Sequence, residues 1–220
     1  MAKAVGTVGV IHRGMVHADF AQSLACLHTP GPFKIHAVEG SHIAWQRNQV
    51  MRQMEGAWVF FLDTDQVCAP DTLTRLLACD RPVVSALIAE RHSPFKPVAF
   101  RHGKRMTWQE IPSRGLLDVE TIGTGCLLIR RGVVGKIADP WFEVGQVSSE
   151  CAGEDTWFSK KLREAHIPMT IDCGVRVGHI TTATIWPDPG SGITLTLPGE
   201  VPFSTPIEVL AEEVHDGPTE

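Results

Sequence analysis

Tyrosine is missing altogether from the 220 residues, a gap for which we have no physical account. Long apolar runs are missing too. The longest fall far short of the roughly 20 residues a helix needs to cross a bilayer. The opening segment, Met-Ala-Lys-Ala-Val-Gly-Thr-Val-Gly-Val, lacks the apolar core of a signal peptide. A soluble, cytoplasmic protein with no membrane partner is therefore the expectation. The six cysteines, at 26, 68, 79, 126, 151 and 173, include no C-x-x-C pair. That pattern excludes a zinc ribbon and offers no disulfide framework, so reduced and mostly buried thiols are expected. Basic charge is scarce as well. The net charge is −5, and the segment 206–220 holds Glu208, Glu212, Glu213, Asp216 and Glu220 with no Lys or Arg. The remaining body is near neutral, without the broad basic face of a protein that grips nucleic acid by charge alone.

The chain has enough residues for one substantial core, here 1–205, followed by the acidic tail 206–220. That tail reads as a short helix over 206–214 or as disorder. Strand-like runs are expected at 5–11, 35–38, 58–62 and 83–89, alternating with helical patterns at 18–27, 43–54 and 70–77. This β-α-β alternation predicts an open, mostly parallel sheet flanked by helices, the α/β class. Residues 90–120, with Pro94, Pro97 and Pro112, break the rhythm and read as a loop or small hairpin. Strand character returns at 122–129, interrupted by Gly123 and Gly125. A short helix at 131–137, an amphipathic helix at 154–165 and a last strand region at 167–177 follow. Segment 187–192 has loop chemistry.

The most informative stretch is Trp58-Val59-Phe60-Phe61-Leu62-Asp63-Thr64-Asp65. Five apolar residues read as a central strand buried on both faces, and they end in two carboxylates. In continued strand geometry the i, i+2 spacing puts both acids on one face. The carboxyl ends of such strands are where open α/β sheets receive ligands. Two acids there repel one another unless a cation or water lies between them. An acidic turn is the structural alternative, and a divalent-metal site for a phosphorylated substrate is the functional one.

Several further segments decide between them. Ala44-Trp45-Gln46-Arg47-Asn48, the D-x-D of Asp63 to Asp65, Ile122-Gly123-Thr124-Gly125, Gly153-Glu154-Asp155 and Val177-Gly178-His179 occur in an order that resembles the GT-A fold of nucleotide-sugar glycosyltransferases. The likeness is to the family 2 branch, including compact, soluble phage or bacterial forms, and it covers about residues 5–179. It implies a single Rossmann-like GT-A domain, in host cytoplasm if phage-encoded. It further implies Mn²⁺ or Mg²⁺ held by Asp63, Asp65 and His179, the imidazole suiting Mn²⁺.

By the same resemblance, Asp155 takes the proton of an acceptor hydroxyl, with Glu154 orienting the acceptor. The structural alternative is that both acids stabilise a helix N-terminus. Arg47 and Asn48 address the nucleotide or else form a solvated helix face. His12 and Arg13, with Thr64 and Gly125, complete the donor-side set. The segment Ile11-His12-Arg13-Gly14 departs from the family's usual sequence after strand one, which leaves UDP- and GDP-sugars both open as donors. Trp108, Trp141 and Trp186 are candidates for sugar stacking, Trp157 fits a helix core, and the Arg91-His92 loop is a candidate donor contact. The acceptor can be a small molecule, a protein or a modified DNA base, and a homo-oligomer is compatible. A degenerate GT-A domain that only binds, and a sugar-phosphate nucleotidyltransferase, are the competing readings. Gly6, Gly9 and Gly14 do not form the phosphate loop of the latter.

Overall fold

The computed structural model describes residues 4–147, 150–188 and 192–197. The acidic tail, the helix expected over 206–214 and the boundary expected at 205 lie outside the described residues.

The first half of the chain alternates as its periodicity predicts. Strand β1 (Gly6–His12) leads to α1 (Ala18–Ala25), β2 (Phe33–Glu39), α2 (Ile43–Arg52) and β3 (Trp58–Leu62). After a short β4 (Gln66–Val67) come α3 (Thr72–Ala78) and β5 (Val83–Leu87). Every residue of β3 is buried, and the pleat sends its side chains alternately to two cores. Val59 and Phe61 join one core with Val50 and Met51 of α2, and Trp58, Phe60 and Leu62 join the other with Phe20 of α1 and Leu76 of α3. The strand is therefore covered by helices on both sides, which is why its sequence shows no polar alternation.

The stretch expected to be a loop or small hairpin holds a hairpin, β6 (Ala99–Arg101) with β7 (Lys104–Arg105), and an edge strand besides. A 3-10 turn at Trp108–Glu110 precedes that edge strand, β8 (Leu116–Val119). Next come β9 (Thr121–Ile122), β10 (Cys126–Arg130) and α4 (Arg131–Val134). β9 pairs with β6 in a small three-stranded sheet with β7, whereas β8 is an edge strand of the main sheet. The single strand expected over 122–129 is thus two strands in different sheets, divided at Gly123 to Gly125. A Cβ on Gly123 would lie 2.9 Å from a methyl of Val98, so the backbone passes closer there than any side chain allows.

The remainder is β11 (Gly145–Val147), β12 (Glu150–Ala152), α5 (Glu154–Glu164), β13 (Met169–Arg176) and β14 (Gly178–His179). The main sheet has the order β2-β1-β3-β10-β5-β13-β8. Strands β2, β1, β3, β5 and β13 run one way, and β10 and β8 run against them. The sheet is mostly parallel, as expected, yet β3 itself has a parallel neighbour on one side and an antiparallel one on the other. His12, Leu62, Leu87 and Arg176, the last residues of their strands, lie along the same edge of this sheet, where ligand-binding crevices form.

The chain divides into two compact units. All the elements above belong to the larger. The smaller comprises residues 91–95 and those from 181 onward, and in it β15 (Thr184–Asp188) pairs antiparallel with β16 (Gly192–Thr196). The segment expected as loop over 187–192 is therefore partly strand. Among the described residues, no helix is long and apolar enough to cross a membrane.

Candidate active site

The D-x-D segment is a turn and not a strand end. β3 stops at Leu62, and the Gln66 amide donates to the Asp63 carbonyl at 2.9 Å, closing a tight turn over Asp63 to Gln66. The expectation that strand alternation puts both acids on one face is corrected accordingly, because each carboxylate is aimed by the turn. Thr64 sits in its middle, half-buried. The Asp63 amide donates to the Gly125 carbonyl at 2.8 Å, fixing the turn to the segment before β10. A Cβ on Gly125 would approach Gln66 Nε2 to 3.3 Å and Asp63 Oδ2 to 3.5 Å, so a side chain there would press on the Gln66 amide and touch the acid.

Arg47 organises the surroundings of that turn. It stands in the middle of α2, its side chain wholly buried, with its guanidinium 5.2 Å from the Phe61 ring centre. Nη2 donates to Asp63 Oδ2 at 2.9 Å, and Nε donates to Glu154 Oε1 at 3.3 Å. Glu154 Oε1 also accepts from the Thr124 hydroxyl at 3.2 Å. One cation therefore joins the end of β3, the start of α5 and the loop between β9 and β10. Burial alone would lower the Arg47 pKa, but the charges of Asp63 and Glu154, with the hydrogen bonds to them, outweigh it and raise it. The group stays charged. Asp63 is pushed up by its own burial, and the Arg47 charge and hydrogen bond offset this only in part.

His179 reaches the turn from far along the chain. After β13 the backbone pairs with the segment beyond the turn, His179 opposite Gln66, and the Ile180 amide donates to the Asp65 carbonyl at 2.7 Å. His179 Nδ1 lies 2.9 Å from the Ala89 carbonyl, and Nε2 lies 3.2 Å from Asp65 Oδ2. A carbonyl can only accept, so Nδ1 carries the proton of this pair. In the neutral ring Nε2 then presents a lone pair to a carboxylate oxygen. Two electron-rich atoms face one another at 3.2 Å, unless the imidazole is protonated or a cation joins them. A ring held by an Nδ1–H to a backbone carbonyl is also how metal-ligating histidines are oriented. Nearby, Asp63 Oδ1 is buried without a hydrogen-bond partner. The donor set fits a hard divalent cation. Asp63 itself leans toward Arg47, however, and the described residues hold no cluster of three or more acids, histidines or cysteines arranged to bind a metal.

Asp155 lies half-buried in the first turn of α5, beside Glu154. Its Oδ1 accepts from the Thr156 amide at 2.7 Å. Burial, and then the charge of Glu154, push its carboxyl up, against the opposing effect of Thr156 and Arg47. Asn48 corrects an expectation. Its amide is buried and committed to Phe142, with Nδ2 donating to the carbonyl at 2.7 Å and Oδ1 accepting from the amide at 3.0 Å. Asn48 therefore clamps two distant segments and does not open onto the crevice, and the solvated helix face is excluded for Arg47 as well.

His12 ends β1 half-buried, and Arg13 follows it exposed. Gln46, overlooked in the sequence as a site residue, donates from Nε2 to the carbonyls of both His12 (2.9 Å) and Val38 (2.7 Å). It thereby satisfies the last carbonyl groups of β1 and an adjoining one in β2. Thr124 is a second residue that sequence reasoning passed over. Trp141 is buried, Trp108 is exposed, and Trp157 is half-buried under Lys160. The Trp186 side chain lies outside the described residues. In the smaller unit, the Arg91 carbonyl accepts from the Thr181 hydroxyl at 3.2 Å.

Comparison with known proteins points one way. Residues 18–137, more than half of the chain, match the family model described as glycosyl transferase family 2. Among solved structures the chain is similar to A197 from STIV, with 16% identity and a TM-score of 0.56 over 85% of this chain and 91% of that one. It is also similar to GalNAc-T7 solved with UDP, GalNAc and Mn²⁺, at 14% identity and TM-score 0.55 over 79% of this chain and 43% of that one. A third likeness is to S. aureus TarS 1-349 in complex with UDP-GlcNAc, at 13% identity and TM-score 0.52 over 78% of this chain. The present chain spans 56% of that TarS chain. At these identities the likeness is one of fold. Among curated protein sequences, none matches.

Replacing Arg47 by Met leaves the half-buried Asp63 and Glu154 without their cation, so Arg47→Met is expected to lower stability by about 1–3 kcal/mol in urea denaturation. A loss below about 1 kcal/mol would contradict the buried triad. A pH dependence follows from Asp155. Its folded pKa lies above the unfolded value, so between the two the native state holds more protons and stability falls as pH rises. Asp155→Asn should flatten that slope just above the ordinary carboxylate range. An unchanged slope would show that Asp155 is solvated.

Proposed function

The chain belongs to glycosyl transferase family 2, and on that premise we propose that it moves a sugar from a nucleoside-diphosphate donor to an acceptor hydroxyl. Its larger unit has the GT-A fold, an α/β domain with a mostly parallel central sheet flanked by helices. The observation that carries the reading is the facing pair of Asp65 Oδ2 and His179 Nε2 at 3.2 Å, with the imidazole oriented by the Ala89 carbonyl.

Asp65 and His179 are the residues that would hold a divalent cation, with Asp63 at hand through Oδ1 or a water. Such an ion supplies positive charge against the diphosphate as it leaves. The chain's own groups do the rest. The turn over Asp63 to Gln66, tied to the Gly125 carbonyl, holds the Asp65 carboxylate beside His179. Arg47 keeps Asp63 and Glu154 in fixed register from beneath, a positioning role. Asp155, its carboxyl pushed up, is the base that takes the acceptor's hydroxyl proton as that oxygen bonds to the anomeric carbon and the donor's C–O bond breaks. General-base catalysis of this kind is worth roughly 10²–10⁴-fold. His12 and Arg13, at the end of β1, receive the nucleotide base. Two structural neighbours were solved with UDP or UDP-GlcNAc, which favours a uridine nucleotide over GDP.

Isothermal calorimetry of UDP and GDP against the full chain, with Mn²⁺ and then with EDTA, tests this reading. UDP binding should require Mn²⁺, disappear in Asp65→Ala and weaken about tenfold or more in His179→Ala. Binding that is equal in EDTA, or no binding of either nucleotide to a folded sample, would overturn it.

A further inference from the structure

At the ligand-binding edge of the sheet, on the β5 and β13 side of the D-x-D turn, lies a cavity of about 330 Å³. Its floor is apolar, formed by Leu87, Ile111 and Val177. Two of its lining groups have polar edges. One is the Trp108 indole, 43% exposed. The other is Arg176, also exposed, whose Nη2 reaches the Ser113 carbonyl only at 3.5 Å.

The indole is presented by a braced turn. Trp108–Glu110 is a single 3-10 turn closed by a capping box, with the Thr107 amide donating to Glu110 Oε2 at 2.6 Å and its hydroxyl at 2.9 Å. The cavity also adjoins the reaction centre. Ala89 lines it, and the Ala89 carbonyl is the group that orients His179. The Val177 amide, two residues before His179, donates to the Leu87 carbonyl at 3.3 Å. His12 and Arg13, at the β1 end, lie on the opposite flank of the turn from this cavity in the strand order.

Resting on the transferase reading above, we propose that this cavity receives the acceptor, and that the acceptor presents a sugar ring to it. A pyranose has one face of C–H groups, which packs on an indole, and a rim of hydroxyls, which suits a guanidinium fork and a backbone carbonyl. A purely apolar ligand would displace water from the exposed Arg176 guanidinium without replacing its hydrogen bonds. The volume lies within the usual range for small-molecule sites, about 300–1,000 Å³, and accommodates roughly one or two such rings.

Saturation-transfer NMR on the full chain tests this, using methyl glycosides of glucose, galactose, mannose and N-acetylglucosamine, with thymidine and adenosine alongside. Transfer to the ring protons of at least one glycoside is expected, and it should persist with saturating UDP and Mg²⁺. It should vanish in Trp108→Ala and fall about tenfold in affinity in Arg176→Ala. Arg176→Ala carries the test alone should Trp108→Ala fail to fold. Any of four results overturns the proposal: no glycoside signal, signal unchanged in both variants, signal abolished by UDP, or transfer to the nucleosides only. Calorimetry with UDP on the same sample separates the two ideas. Absent UDP binding sinks the donor reading, while the glycoside signal still reports on the cavity.

Discussion

A single buried cation sets the geometry of this molecule's reactive edge. Arg47 has no access to solvent, so its charge must be met inside the protein, and the partners it finds are Asp63 and Glu154. Burying an ion costs several kcal/mol unless it is paired and hydrogen-bonded. That cost makes the triad an all-or-none feature: α2, the turn after β3 and the start of α5 must come together, or the guanidinium is stranded. Phe61 below it and Thr124 beside Glu154 complete the enclosure. The two acidic segments of the site are 91 positions apart in the chain, from 63 to 154, yet one side chain fixes their spacing.

Around that triad, backbone pairing does the remaining assembly. The strand that follows β13 returns across the turn and brings His179 to Asp65 through β14 and β4. Gln46 ties the ends of β1 and β2 to α2, and Asn48 ties α2 to the segment before α5. Arg47 and Asn48, which resemble ligand contacts in the sequence, thus act as struts, while Asp65 and His179 meet at 3.2 Å. Such struts are what hold a site within the small tolerances that group transfer demands.

Much of this was legible in the sequence, and the failures have physical causes. The buried strand 58–62, its acidic ending, the alternation through 87 and the family 2 resemblance were readable because periodicity and local order carry them. Edge strand β8 was not, because four residues with two side chains facing out look like loop. The turn over Asp63 to Gln66 stood in the sequence only as an alternative, because nothing in a D-x-D tells a strand end from a turn. The inward aim of Arg47 and Asn48 escaped because a helix pattern marks polar positions as exposed unless their partners are known. Phe142 lies 94 residues from Asn48 and Glu154 lies 107 from Arg47, distances no local pattern spans. Thr124 was passed over for the same reason.

The most direct measurement is a double-mutant cycle for stability, with Asp63→Asn, Glu154→Gln and the pair, repeated in the Arg47→Met background. If Arg47 joins the two acids, the substitutions should couple by about 1 kcal/mol or more with Arg47 present, and the coupling should change in sign or size without it. Simple additivity in both backgrounds would contradict a shared buried cation.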